Sequence, residues 1–265
     1  PYSSFTNDYG NILINVTIMA LIVIGGLGFI VWDDLSKNKF HFRKYMLHTK
    51  IVLTTTAILI FGCAVLFYIF ESPNLLSDMS TKDKILASLF SSVTARTAGF
   101  NTIDTASLTS SSKLLTVALM FIGGSPGSTA GGMKTTTLAV LTATAVSVFR
   151  RNENPELFKR RIAPETVANA ASILMMYLSL CLTGAFLISR IEELPMMACM
   201  FETASAVGTV GLSFGITPGL GSISRIILII LMYLGRVGGL TLIYAALSGH
   251  RIRFGKYPLE KITVG

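Results

Sequence analysis

Five apolar runs, roughly 11–32, 47–70, 113–149, 164–189 and 222–247, constrain this 265-residue chain more than any other feature. A hydrocarbon core takes about 20 helical residues to cross, so each run is long enough to span a bilayer. Composition agrees: charged residues are 14% of the chain and mean hydropathy is +0.64, where a soluble domain carries about 25% charged residues. Two shorter amphipathic stretches, about 83–95 and 195–206, are too brief to cross and suit helices that enter the membrane and return. Cys63, Cys181 and Cys199 lie in or near apolar runs without metal-ligand spacing, and read as packing residues.

Charge placement orients the runs. Basic residues gather at Lys37–Lys50, Arg150–Arg161 and Arg251–Lys261, which together hold 14 of the 22. The positive-inside rule puts all three segments in the cytoplasm, so the net charge of +8 is a topological signal and nucleic acid is not an expected partner. One span cannot join two cytoplasmic segments. A dip into the membrane and back at 83–101, and another at 195–213, restores the count. The repeating unit is then an outward helix, a half-membrane helix with a loop, and an inward helix. It occurs twice, and 11–32 reads as the last helix of a preceding copy. The expected fold is an all-α integral membrane protein of helix–pore-loop–helix repeats, multi-pass in the plasma membrane with its C-terminus cytoplasmic.

Both dips end in a similar pentapeptide: Thr97-Ala98-Gly99-Phe100-Asn101 and Thr209-Val210-Gly211-Leu212-Ser213. A cation stripped of water needs replacement oxygens, and converging backbone carbonyls supply them. Aiming successive carbonyls at one axis takes unusual backbone angles, which glycine tolerates. The pentapeptides resemble the threonine-valine-glycine filter of potassium channels. Arg96, just before the first loop, is expected to brace it by pairing with an outer acid.

The run 113–149 is too long for one span and contains "GGSPGSTAGGMKT". Five glycines and Pro126 fall within residues 123–132. A phosphate-binding loop nearly fits from Gly127, but Met133 separates Gly132 from Lys134 and no strand precedes. A plain packing kink needs only one or two glycines. The remaining reading is an unwound loop inside a broken helix, acceptable at membrane depth where it lines a water-filled cavity. Arg236 sits mid-span, where a charge is costly, and is expected to face that cavity and bond the loop's carbonyls. Lys134 lines the cavity or lies nearer the cytoplasm.

"TARTAGFNTID" (94–104), "GGSPGSTAGGMKT" (123–135), "SAVGTVGLS" (205–213) and "LGRVGGLTL" (234–242) together resemble the membrane subunit of the Ktr/Trk/HKT potassium-uptake family. The resemblance implies a C-terminal portion of a four-repeat pore: 1–46 the inward helix of the second repeat with its linker, 47–161 the third repeat, 162–248 the fourth, and 249–265 a cytoplasmic tail. It implies potassium uptake through the two pentapeptides. It also implies an intramembrane gate at Gly123, Gly124, Ser125, Pro126, Gly127, Ser128, Thr129, Ala130, Gly131 and Gly132, with Lys134 and Arg236 beside it. Glycine at both Gly99 and Gly211 favours K+ over Na+, with Na+ a candidate coupling or activating ion and no organic cofactor. Implied partners are a second copy, membrane lipid and a cytosolic ring of nucleotide-binding regulatory subunits. The chain is not expected to be an enzyme. A channel-like subunit of an ATP-driven pump is the alternative. Gly25, Gly26 and Gly28 are expected to serve close helix packing.

Overall fold

The computed structural model of the chain describes residues 4–39, 41–152 and 154–238. Its helices are α1 (Ile12–Leu27), α2 (Phe29–Asn38), α3 (Leu47–Ala57), α4 (Cys63–Glu71), α5 (Thr81–Thr94), α6 (Ser110–Phe121), α7 (Thr135–Phe149), α8 (Pro164–Glu192), α9 (Met196–Gly208) and α10 (Ser222–Val237). A π-type turn, Ile58–Gly62, joins α3 to α4. Among the described residues the strands form a small antiparallel hairpin, β1 (Glu156–Leu157) with β2 (Arg160–Arg161), pairing Glu156 with Arg161 and Leu157 with Arg160, and an isolated bridge joins Ile122 to Met133.

Local chemistry sets where these helices begin. Asn11 Oδ1 accepts from the amides of Leu13 and Ile14 at 3.1 and 3.3 Å. Ser80 Oγ accepts from Asp83 N, and Thr109 Oγ1 from Ser112 N. Each side-chain oxygen satisfies a backbone donor that the first turn leaves free. Pro164 opens α8 at a position whose missing N–H costs nothing. Leu47–Glu71, taken through its π-type turn, and Pro164–Glu192 are long and apolar enough to cross a membrane. Along the first, Ile58, Phe61, Val65 and Ile69 point outward.

The run 11–32 is not one straight span. α1 stops at Leu27 and the chain turns through 94° into α2 at Gly28, whose φ is +85°. The run 113–149 divides into α6 and α7 around residues 122–134, as its glycines require. The run 222–247 is helical through Val237; residues 239–247, and the tail 249–265, lie outside the described residues.

Two of the long helical segments end in the same device. Glu71, the buried last residue of α4, accepts from Thr109 N and Oγ1 at 2.8 and 2.7 Å, so it clasps the start of α6. Glu192, the last residue of α8, accepts from Gly221 N at 2.8 Å and Ser224 Oγ at 2.6 Å, at the start of α10. Each acid ties the end of its own helix to the positive N-terminal end of a later one.

Between the units, α6 packs on α9. Their core holds Phe67, Leu119, Met120, Cys181 and Phe201, all nearly free of solvent contact. Lipid tails are as apolar as these side chains, so close packing rather than water exclusion holds such helices together. Gly235 shows it: a β-carbon there would collide with the Val207 carbonyl, and α10 therefore lies directly on α9.

Candidate functional site

The two pentapeptide loops have the same backbone alternation. Thr97 and Gly99 have φ of +78° and +73°, and Thr209 and Gly211 have +52° and +94°. In both loops these positive-φ residues alternate with ones of ordinary φ. A threonine with positive φ is strained, and such residues persist where the surroundings dictate them. Val210 N donates to Ser205 O at 2.8 Å and Ala98 N to Thr94 O at 3.2 Å, so each loop leaves its helix by an equivalent bond. Ser205 and Thr94 therefore correspond, with one more residue between Ser205 and Gly211 than between Thr94 and Gly99.

The loops meet. A β-carbon at Gly99 would overlap the Val210 carbonyl and lie 3.1 Å from the Gly211 Cα. No larger residue fits. Three outer carbonyls already have protein donors. Phe100 O accepts from Thr94 Oγ1 at 2.6 Å, Asn101 O from Phe5 N at 2.9 Å, and Ser213 O from Thr105 Oγ1 at 2.8 Å. No described residue donates to the carbonyls of Thr97, Ala98, Gly99, Thr209, Val210 or Gly211. Those six oxygens are free to bind something else.

Behind the second loop stands Glu202, buried on α9. Its Oε1 accepts from Ser213 Oγ at 2.7 Å and Phe214 N at 3.0 Å, and its Oε2 from Thr217 Oγ1 at 2.8 Å. Phe214 in turn stacks on Phe201 with centroids 3.8 Å apart. Glu202 was missed in the sequence. Its signal was a lone acid inside a segment assigned to membrane depth, where a charge is expensive without partners.

Beneath the second loop lies the glycine-rich segment. Its neck is pinched shut: Gly123 N donates to Met133 O at 2.8 Å, Met133 N to Phe121 O at 3.1 Å, and Thr135 N to Gly124 O at 3.2 Å. Its top touches the Thr209 side chain through Gly131, where a β-carbon would clash. One flank docks on the α1–α2 turn, with Ser125 N donating to Gly26 O at 2.9 Å and Phe29 N to Gly127 O at 3.2 Å. A β-carbon at Gly28 would come 2.5 Å from Pro126 O. Gly26 and Gly28 thus receive this segment, rather than only packing two helices. On the other flank Arg236 Nη1 donates to Thr129 O, and Lys134 Nζ donates to Ala130 O, each at 2.6 Å.

Two cavities frame the segment. One of about 500 Å³ borders Thr209–Ser213 and Glu202; the other, of about 450 Å³, is lined by Pro126–Ala130, Lys134 and Tyr177. Arg236 lines both. Arg96 differs from expectation: it pairs with no acid, since among the described residues the ion pair is Lys37–Asp33. It is buried and directs Nη2 at the Gly123 carbonyl, 3.5 Å away, so it reaches toward the neck of the segment below.

Comparison with known proteins decides the family. The model of TrkH, a cation transport protein, matches residues 2–250. The chain belongs to the TrkH family. Its relatives include the potassium/sodium uptake protein NtpJ of Enterococcus hirae, 40% identical over 99% of this chain and 59% of that protein. The Ktr system potassium uptake protein B of Bacillus subtilis is 36% identical over 97% of this chain and 58% of its own length. This TrkH-family chain thus spans under two thirds of the relatives it matches. The potassium transporter TrkH of Vibrio parahaemolyticus has a similar fold, with a TM-score of 0.73 at 20% identity, covering 88% of this chain and 51% of that one. The family and the apolar helices together make this a multi-pass membrane protein.

Proposed function

We propose that this chain forms the third and fourth repeats, residues 47–161 and 162–248, of a potassium-uptake pore. In this reading the free carbonyls of Thr97–Gly99 and Thr209–Gly211 replace the hydration shell of a passing K+. The observation that carries it is the contact of Gly99 with Val210 and Gly211, which brings two sets of uncommitted carbonyls together. Phe100, Asn101, Leu212 and Ser213 form the outer rim, with protein donors holding most of it in place.

Residues Gly123–Gly132 act as the gate. They lie directly under Thr209 and are latched by Arg236, Lys134 and the α1–α2 turn. Arg236 also places a positive charge between the two cavities, which opposes cation passage while the latch holds. Sodium is a second candidate ion, on the name of the Enterococcus hirae relative. The basic loops face the cytoplasm, where a second copy and a regulatory subunit ring complete the system.

The test is Gly211→Ser in the full-length protein, with potassium uptake measured against sodium competition. A hydroxymethyl group beside the opposed carbonyls should weaken potassium selectivity. Unchanged affinity and selectivity would remove Gly211 from the ion path.

A further inference from the structure

Between α3 and α7 runs a groove of about 360 Å³, from Leu157 and Phe158 of the hairpin to Ile58 and Leu59 of the π-type turn. Ile51, Leu138 and Ala139 wall it. Thr142 also lines it, with its hydroxyl already donated to the Leu138 and Ala139 carbonyls at 3.0 Å. At Ile58, which is 65% exposed, the groove joins the outward apolar stripe of the span.

The mouth is built differently. Phe158 and Lys159 form the two-residue turn of the hairpin with φ of +50° and +61°. Such turns normally use asparagine and glycine, because side chains are disfavoured there. The turn sets Phe158 into the groove, edge-on to Phe42 at 6.1 Å, with Lys159 next in the turn and Arg160 opposite the groove-lining Leu157 in register. Lys50 reaches the same place: its Nζ donates to Arg43 O at 2.9 Å and lies 6.0 Å from the centre of the Phe42 ring. Among the described residues of 150–161 the acid is Glu156, opposite Arg161 in register, and it forms no ion pair there. The mouth is therefore cationic.

A largely apolar cleft that joins the exposed apolar stripe of the span and has cations near its mouth has the chemistry of one ligand class. We propose that the α3–α7 groove binds an anionic phospholipid, its acyl chain against Ile51 and Leu138 and its phosphate among Lys50, Lys159 and Arg160. A second copy of the chain fits less well, because a two-fold contact would set this basic hairpin near its own duplicate. The site has a consequence for the pore. Its deep end touches Leu59, and the carbonyls of Leu59 and Ile60 accept from Ser92 Oγ at 3.1 and 2.9 Å. Ser92 belongs to α5, the helix that leads into Thr97–Asn101.

Native mass spectrometry of the full-length protein tests this without reference to transport. The protein is released from nanodiscs containing phosphatidylglycerol and phosphatidylcholine, and the retained lipid is counted. The wild type should keep phosphatidylglycerol selectively. The Lys159→Gln, Arg160→Gln double variant, changed only at exposed positions, should lose affinity by roughly twenty-five-fold, as each basic residue near an anionic surface is worth about a factor of five. Thr142→Trp, which fills the groove, should displace the lipid with the charges intact. Equal retention of both lipids by the wild type, or wild-type retention in both variants, overturns the proposal. So does crosslinking of two copies of a Phe158→Cys variant with no lipid retained.

Discussion

Gly131 and Thr209 are in direct contact: a β-carbon on Gly131 would overlap the Thr209 hydroxyl and stand 3.0 Å from its β-carbon. The glycine-rich segment and the second pentapeptide loop are therefore one packed unit. A change in either must be felt by the other.

Gly131→Ala follows directly. The added methyl forces the segment away from Thr209, at an overpacking cost of about 1–3 kcal/mol to the latched state. That is roughly a 5- to 150-fold shift toward the unlatched state. Rubidium uptake by the full-length protein on its own should rise. Uptake equal to wild type at equal expression would mean the segment does not obstruct the path.

Arg236→Gln should act in the same direction for a different reason. It removes a charge-assisted bond of 2.6 Å to Thr129 O. Such bonds contribute about 1.5–3 kcal/mol when shielded; this side chain is exposed, so about 1 kcal/mol is expected, or roughly fivefold in ungated flux. Arg236→Lys keeps the charge but loses the fork geometry and should fall between. Flux ordered otherwise would separate Arg236 from the latch.

Glu202→Ala leaves Phe214 N, Ser213 Oγ and Thr217 Oγ1 without their acceptor. A cost of about 1–3 kcal/mol in stability is expected for the unpaired donors, together with weaker discrimination of potassium from sodium. Glu202→Gln keeps an acceptor for Phe214 and should lose less of both. The check is thermal unfolding beside competitive uptake. Full stability and selectivity in the alanine variant would show that the clamp is idle.

The clasps predict an inequality between the two units. Glu71 is buried and holds Thr109 twice, so Glu71→Ala should lower stability by about 1–3 kcal/mol. Glu192→Ala, at a water-facing end, should lower it less. Thermal scans of the two variants in the same detergent give the comparison, and a larger loss at Glu192 would contradict the role of burial.

How much of this was legible from sequence depends on which atoms carry the signal. Apolar length marked Leu47–Glu71 and Pro164–Glu192, and the cluster of glycines marked the break between Phe121 and Thr135. The turn at Gly28 was hidden because Phe29–Trp32 continues the apolar run, and hydropathy carries no direction. The π-type turn at Ile58–Gly62 was hidden for the same reason. The docking of Ser125 on Gly26 was invisible because both partners are backbone atoms. Arg96 drew the expectation of an acid; burial against Gly123 gave it a carbonyl instead.

The most direct measurement is the position of a heavy potassium analogue. A structure of the full-length protein grown or soaked in Tl+ or Rb+ should show anomalous density on the axis between Gly99 and Gly211, within coordination distance of the carbonyls of Thr97–Gly99 and Thr209–Gly211. Anomalous density elsewhere in the membrane, with none between those two glycines, would contradict the account.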